Sequence, residues 1–222
     1  MSGKDKIRKF RENEGFRCLI QPATDEMLGK DHPLKGRWNE TVFGNSNPII
    51  LELGCGKGEY TTNLSEAFPH NNYIGVDIKG ARLWKGAKYV TEHNIPNAAF
   101  LRTRIDFIDS IFAAGEVSEI WLTFSDPQPG KPRKRLSSQL FLERYARFLK
   151  PDGTMHLKTD SDLLYESTLE VIREFGHRLI IADSDIYGSG LSERIPELKI
   201  KTFYESMFLA EGKTIKYVEW KL

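Results

Sequence analysis

Cysteine is scarce: Cys18 and Cys55 are the only two in 222 residues, and no Cys-x-x-Cys pair occurs. That excludes a disulfide framework and a cysteine zinc site, and it fits a reducing cytoplasm, the expected location. The five histidines, His32, His70, His93, His156 and His177, lack metal-ligand spacing, so no metal is expected. No apolar run approaches the roughly 20 residues that span a bilayer. The start of the chain leads into Ile7-Arg-Lys-Phe10 without an apolar core, so no secretory signal is expected. Repeats and low-complexity tracts are absent. Net charge is missing too: the formal balance is +1, so no global basic field marks a nucleic-acid binder.

What is present is local. Lys4, Lys6, Arg8, Lys9, Arg11 and Arg17 crowd the N-terminus, and Lys131, Arg133, Lys134 and Arg135 form a second knot. With a Debye length of about 8 Å, such patches act while distant acids are screened. Charge alone favours a solvated face.

The length suits one domain with a short extension. Residues 1–46 carry no strong periodicity and are punctuated by Pro22, Gly29, Pro33, Gly36 and Gly44-Asn-Ser-Asn-Pro48, which predicts an irregular basic arm with one short helix. Residues 47–222 read as the folded domain. Its predicted strands are Ile49–Leu53, Tyr73–Asp77, Ala98–Arg102, Glu119–Phe124, Thr154–Thr159, Arg178–Ala182 and Ile215–Trp220. Between them lie predicted helices over Gly58–Phe68, Lys79–His93, Phe107–Ala114, Ser138–Leu149, Leu163–Phe175 and Thr202–Leu209. This alternation implies an α/β fold with a parallel sheet and right-handed crossovers.

The first strand runs into Gly54-Cys55-Gly56-Lys57-Gly58. Glycine is needed where a Cβ would meet a ligand or where φ must be positive. The spacing is G-x-G-x-G, not the G-x-G-x-x-G of dinucleotide binders. Glu52 lies just before the loop, and Asp77 closes the second strand, where a carboxylate accepts both ribose hydroxyls of an adenosine. An acid at this loop suits a cationic, phosphate-free ligand and repels a pyrophosphate. S-adenosylmethionine, with its sulfonium, fits. Cys55 reads as a packing residue, because no base accompanies it.

Chemistry in such sheets sits at the carboxyl ends of the first and fourth strands, where the winding reverses. The fourth strand ends in Phe124-Ser-Asp126-Pro-Gln-Pro129, whose prolines hold Asp126 at the mouth of the cofactor site. The basic knot follows at once, a layout for a polyanionic substrate that presents a base.

At this point the chain resembles the bacterial tRNA (guanine-N7)-methyltransferases. Lys9-Phe-Arg-Glu-Asn-Glu-Gly15 resembles the family's arginine-rich entry segment. Glu52–Gly58 resembles its glycine loop and Gly75-Val-Asp77 its acidic strand end. Phe124–Pro129 is similar to its Asp-Pro-Trp-Pro signature, and Lys158-Thr-Asp160 and Thr202-Phe-Tyr-Glu205 match two further elements.

The resemblance implies a Rossmann-like class I methyltransferase fold, a mostly parallel seven-stranded sheet with helices on both faces and an antiparallel last strand. It implies S-adenosylmethionine held by Glu52, Gly54, Gly56, Asp77, the position of Arg104, and Asp126, with Asp126 catalytic. Gly130, Lys131, Asp160, Thr202, Phe203, Tyr204 and Glu205 would meet the guanine, and Arg133, Lys134 and Arg135 the RNA. The implied product is 7-methylguanosine at position 46 of tRNA, made by a monomer or homodimer without an obligatory partner subunit. Three departures stand out. Arg104 replaces an Asp or Asn, leaving Asp106 as the alternative contact. Gln128 replaces the signature tryptophan. Gly130 stands where the family has a lysine, with Lys131 one place on.

Guanine N7 carries an exposed lone pair, so no proton must leave and positioning dominates. Asp126 is therefore read as orienting and electrostatic. Asp160 and Glu205 are read as acceptors for N1–H and N2–H₂, with Thr202 adding a hydroxyl contact; Asp160 reads also as a cap for the helix that follows. Three other readings stay open: a methyltransferase acting on an exocyclic amine, which lacks its stacking aromatic here; a non-catalytic RNA-binding module; and a dehydrogenase, disfavoured by the glycine spacing.

Overall fold

The computed structural model describes residues 3–222, with side chains from Asp5 onward; Lys4 of the basic arm therefore lies outside the described side chains. In chain order the elements are α1 (Gly3–Asn13), β1 (Leu19–Ile20), α2 (Thr24–Met27), β2 (Ile49–Leu53), α3 (Glu59–Ala67), β3 (Asn72–Asp77), α4 (Gly80–Glu92), β4 (Ala98–Arg102) and β5 (Val117–Thr123). Then come α5 (Gln139–Tyr145), β6 (Leu149–Thr159), α6 (Asp162–Glu174), β7 (Arg178–Asp183), α7 (Leu191–Arg194), α8 (Phe203–Ala210) and β8 (Lys216–Lys221).

They form one sheet in the order β1-β4-β3-β2-β5-β6-β8-β7. β1 to β6 pair in parallel, and β8 runs antiparallel to both β6 and β7. The reversal of strand order falls between β2 and β5. All five residues of β2 are buried. Ile49, Leu51 and Leu53 enter one apolar cluster, while Ile50 enters another with Tyr60, Leu64 and Trp121. Successive side chains point to opposite faces, so both faces of this strand are covered. That is why its sequence reads as an unbroken apolar run instead of alternating.

Three expectations need correction. First, the sheet has eight strands, not seven: Leu19 and Ile20 pair with Phe100 and Leu101 and extend the β4 edge. Two residues are too short to leave a periodic signal. Second, the N-terminal segment is not irregular. It holds α1, β1, α2 and a π-helical turn over Asn39–Phe43. Met27, Trp38 and Phe43 join the main core. Trp38 stacks on Phe112 at 5.1 Å and donates through Nε1 to the Ile111 carbonyl at 3.1 Å. Burying such a side chain contributes roughly 2–3 kcal/mol, which docks the segment despite its polar composition. Third, the helix expected over Phe107–Ala114 is a short 3₁₀ turn, Ile105–Ser110.

β6 is also longer than its apolar half. It begins at Leu149 and carries Pro151-Asp-Gly153 as an irregularity opposite Val117–Glu119, since proline cannot donate to the ladder. No helix among the described residues is long and apolar enough to cross a membrane.

Candidate active site

The glycine loop is built by its neighbours. The Gly54 and Cys55 amides both donate to the Val76 carbonyl, at 2.8 and 3.1 Å. Gly56 has φ 58° and donates to Asp77 Oδ2 at 3.0 Å; Lys79 N–H donates to Asp77 Oδ1 at 2.7 Å. Asp77 is buried and braces the loop with both oxygens. At Gly58, φ is 74°, and a Cβ would lie 2.4 Å from the Phe100 ring. No other residue fits there, because strain and overlap coincide.

Glu52 lies beneath the loop. Its carboxylate accepts from Thr61 N–H at 2.9 Å, from the Thr61 hydroxyl and from the Thr123 hydroxyl. It thus ties β2 to the first turn of α3 and to β5. Burial pushes its carboxyl up to about 7, against the pull of these hydrogen bonds, and the nearby Asp77 charge adds to the rise. Cys55 is buried beside it, its thiol pushed well above the ordinary range by burial, as suits a packing residue.

Glu52, Gly54, Gly56, Thr123, Thr202 and Tyr204 line one cavity of about 100 Å³. The last two come from the start of α8, some 150 residues away in the chain. Phe203 N–H donates to Glu59 Oε2 at 2.9 Å, and the Lys57 ammonium lies 5.3 Å from the Phe203 ring and 5.9 Å from that of Tyr204. The two helix starts are tied together. Arg104 is elsewhere. It is exposed, paired with Asp106 at 3.0 Å, and lines a separate hollow of about 250 Å³ with Ile78, Arg102 and Phe107.

Past β5 the backbone is strained. Phe124 and Gln128 have φ of 48° and 46°, a region that non-glycine residues visit rarely and that concentrates at functional sites. Asp126 between them is exposed and accepts from Gln128 N–H at 2.9 Å. It lines an open pocket of about 650 Å³ with Phe124, Ser125, Asp160, Lys213 and Lys216. Phe124 also lines the glycine-loop cavity, so one residue borders both spaces. Asp160 pairs with Lys213 at 3.1 Å. It does not cap α6; Ser161 does, accepting from Leu164 N–H at 3.2 Å.

Two expected contact residues are used internally. Glu205 is fully buried. Its carboxylate pairs with the equally buried Lys158 at 2.8 Å and accepts the Tyr187 hydroxyl at 2.6 Å. Lys158 also donates to the Leu198 and Ile200 carbonyls. In this arrangement Glu205 is the strut of α8, not a group facing a base. With Thr202 it forms the capping box of that helix, so Phe203 and Tyr204 are left half exposed at the mouth. Burial lowers the Lys158 ammonium, and the Glu205 charge offsets this. Arg135 is likewise buried, its Nε donating to the Pro127 carbonyl at 2.9 Å. It clamps the Asp126 loop instead of facing RNA. Gly130, Lys131, Arg133 and Lys134 are exposed.

Sequence reasoning missed Thr61, Thr123, Tyr187 and Ser125. Only Lys158 left a trace, as the first residue of the Lys158-Thr-Asp160 motif. Among the described residues no cluster of three or more acids, histidines or cysteines is placed to hold a metal.

The architecture is that of the class I S-adenosylmethionine-dependent methyltransferases. It superposes on the 16S rRNA methyltransferase KamB with a TM-score of 0.62 at 13% identity, covering 82% of this chain and 91% of that one. It also superposes on a SAM-dependent methyltransferase from Aquifex aeolicus with a TM-score of 0.54 at 14% identity, covering 90% and 98%. A family model described as "Putative methyltransferase" matches residues 46–218. The tRNA (guanine-N(7)-)-methyltransferase of Christiangramia forsetii is 47% identical over the whole of both chains. That of Bacteroides thetaiotaomicron is 46% identical over 99% of this chain and 86% of its own. The chain belongs to the tRNA (guanine-N7)-methyltransferase family.

Proposed function

We propose that this protein transfers a methyl group from S-adenosylmethionine to N7 of a guanine in tRNA, at position 46, with residues 1–46 as a basic arm on a methyltransferase domain of residues 47–222. The observation that carries this reading is a shared border: Phe124 lines both a cavity made by the glycine loop, Thr202 and Tyr204 and a pocket made by Asp126 and Asp160.

The residues fit the cofactor. The loop is open at Gly56, where a Cβ would meet nothing within 4 Å, Glu52 lines the cavity beneath it, and the Asp77 carboxylate beside it suits a ligand that carries no phosphate. When bound, S-adenosylmethionine supplies an electrophilic methyl group on a positively charged sulfur. Asp77, already aligned by two backbone amides, faces the ribose hydroxyls. The chain needs no strong base, because N7 loses no proton. Asp126, tethered by the Gln128 amide, orients the base and follows the positive charge onto the purine. Asp160 accepts from the guanine N–H groups.

Lys131, Arg133 and Lys134 with the N-terminal arm hold the phosphates, so tRNA affinity falls steeply with salt. N7 lies in the deep, narrow groove of an A-form helix, so the target base must be locally open. The test is incubation with labelled S-adenosylmethionine and tRNA lacking 7-methylguanosine, with a transcript carrying adenine at position 46 as control. Label on the first transcript alone supports the reading. Label retained on the control sinks the assignment of position 46, and cofactor binding without transfer favours a non-catalytic RNA-binding module.

A further inference from the structure

Ser125 is 8% exposed, and its hydroxyl has no hydrogen-bond partner among the described residues. Leaving a buried hydroxyl unpaired is costly, and nearly all such groups are satisfied in native proteins. The other buried hydroxyls in that position, on Ser118 and Tyr145, do not line the Asp126–Asp160 pocket; Ser125 does. Along a regular strand, successive side chains would face opposite sides. The left-handed Phe124 breaks that alternation, and Ser125 and Asp126 line the same space. The two ammonium groups of the pocket are already paired, Lys213 with Asp160 at 3.1 Å and Lys216 with Asp162 at 2.8 Å. The Ser161 and Thr214 hydroxyls of the pocket each accept a hydrogen bond, and Ser125 carries its one buried hydroxyl without a partner among the described residues.

Guanine presents two acceptors side by side, N7 and O6. We propose that Ser125 is a base-recognition residue whose hydroxyl donates to O6 of the guanine, beside the N7 that takes the methyl group. This rests on the function proposed above. In the free protein the hydroxyl is enclosed; rotation of the serine about its Cα–Cβ bond to another staggered position turns it into the pocket, and its cost in the free protein is recovered on binding. A hydroxyl can also rotate to accept from an amino group. Ser125 therefore contributes to holding the guanine edge, while Asp160 rejects adenine.

The test pairs Ser125→Ala with tRNAs assembled to carry guanine, hypoxanthine or 2-aminopurine at the target position. The readouts are kcat/KM and, for 2-aminopurine, Kd from its fluorescence. Thermal unfolding shows that the variant is folded. Hypoxanthine keeps O6 and lacks the 2-amino group; 2-aminopurine keeps the amino group and lacks O6. The expected loss for Ser125→Ala is about tenfold on guanine and hypoxanthine, the size of one hydrogen bond, and about twofold or less on 2-aminopurine. Equal losses on all three bases make Ser125 merely structural and overturn the proposal, as does no loss on guanine. If the wild-type protein transfers no methyl to guanine tRNA, the proposed function falls first.

Discussion

The glycine-loop cavity and the Asp126–Asp160 pocket share Phe124 as a border, yet they are built in opposite ways. The loop is a product of nearby sequence: Glu52 to Gly58 is one stretch, and Asp77 arrives on the adjacent strand. The pocket draws on residues 124–135, 158–162 and 202–216, and its alignment depends on groups that never reach it. Lys158 and Glu205 hold α8 from below, and Arg135 holds the Asp126 turn from behind. Damage to the loop should therefore act locally, whereas the pocket should be breakable from a distance.

The largest effect expected is on Asp126 itself. Asp126→Ala should lower turnover by about 100-fold or more with most tRNA affinity retained; filter binding and single-turnover rates separate the two, and unchanged turnover would remove Asp126 from the reaction. Next is the strut. Lys158→Met leaves the Glu205 carboxylate buried and unpaired, which should cost about 3–5 kcal/mol in denaturant unfolding. Replacing both partners with apolar residues should restore part of that. A loss below about 1 kcal/mol for the single variant would mean that α8 is held otherwise.

The loop side makes a pH prediction. The folded protein holds the Glu52 proton up to about pH 7, whereas the unfolded chain releases it near 4.5. The native state therefore binds more protons across that window, and stability falls as pH rises from 4.5 to 7. The decline is on the order of 3 kcal/mol. Glu52→Gln should flatten the profile, its advantage in Tm growing up to pH 7 and levelling above. An advantage already complete at pH 5 would contradict the assignment. The smallest effect separates two basic neighbours. Lys134→Ala should weaken tRNA binding and reduce the log–log salt slope by about one. Arg135→Ala should slow turnover and leave the slope unchanged, because its guanidinium serves Pro127. A reduced slope for Arg135→Ala would return it to the RNA surface.

The loop was almost fully legible because its constraints are local. Glycines at positive φ and an acid at each of two strand ends are readable without knowing the fold. Even there, Glu52 turned out to be a buried bracket on Thr61 and Thr123, since its partners lie on different elements. In the pocket, residue types were legible but directions were not. Glu205 and Arg135 are charged residues in motifs expected to meet the guanine and the RNA, and nothing in the spacing says that each is buried against its own chain. Ser125 was invisible: serine before an acid is unremarkable until its hydroxyl is found enclosed. The N-terminal segment hid its packing for a related reason. Met27, Trp38 and Phe43 are too far apart to form a period, so only their convergence under the sheet reveals a core.

By itself, the sequence determined the alternation of strands and helices, the glycine loop, the Asp77 strand end and the Asp126 turn. Each is set by backbone conformation or by spacing within one element. Only the tertiary structure decided which charges face the site and which brace it. Whether a carboxylate is a ligand or a strut depends on what lies within about 3 Å of it, and for Glu205 that neighbour is Lys158, 47 residues away on another element.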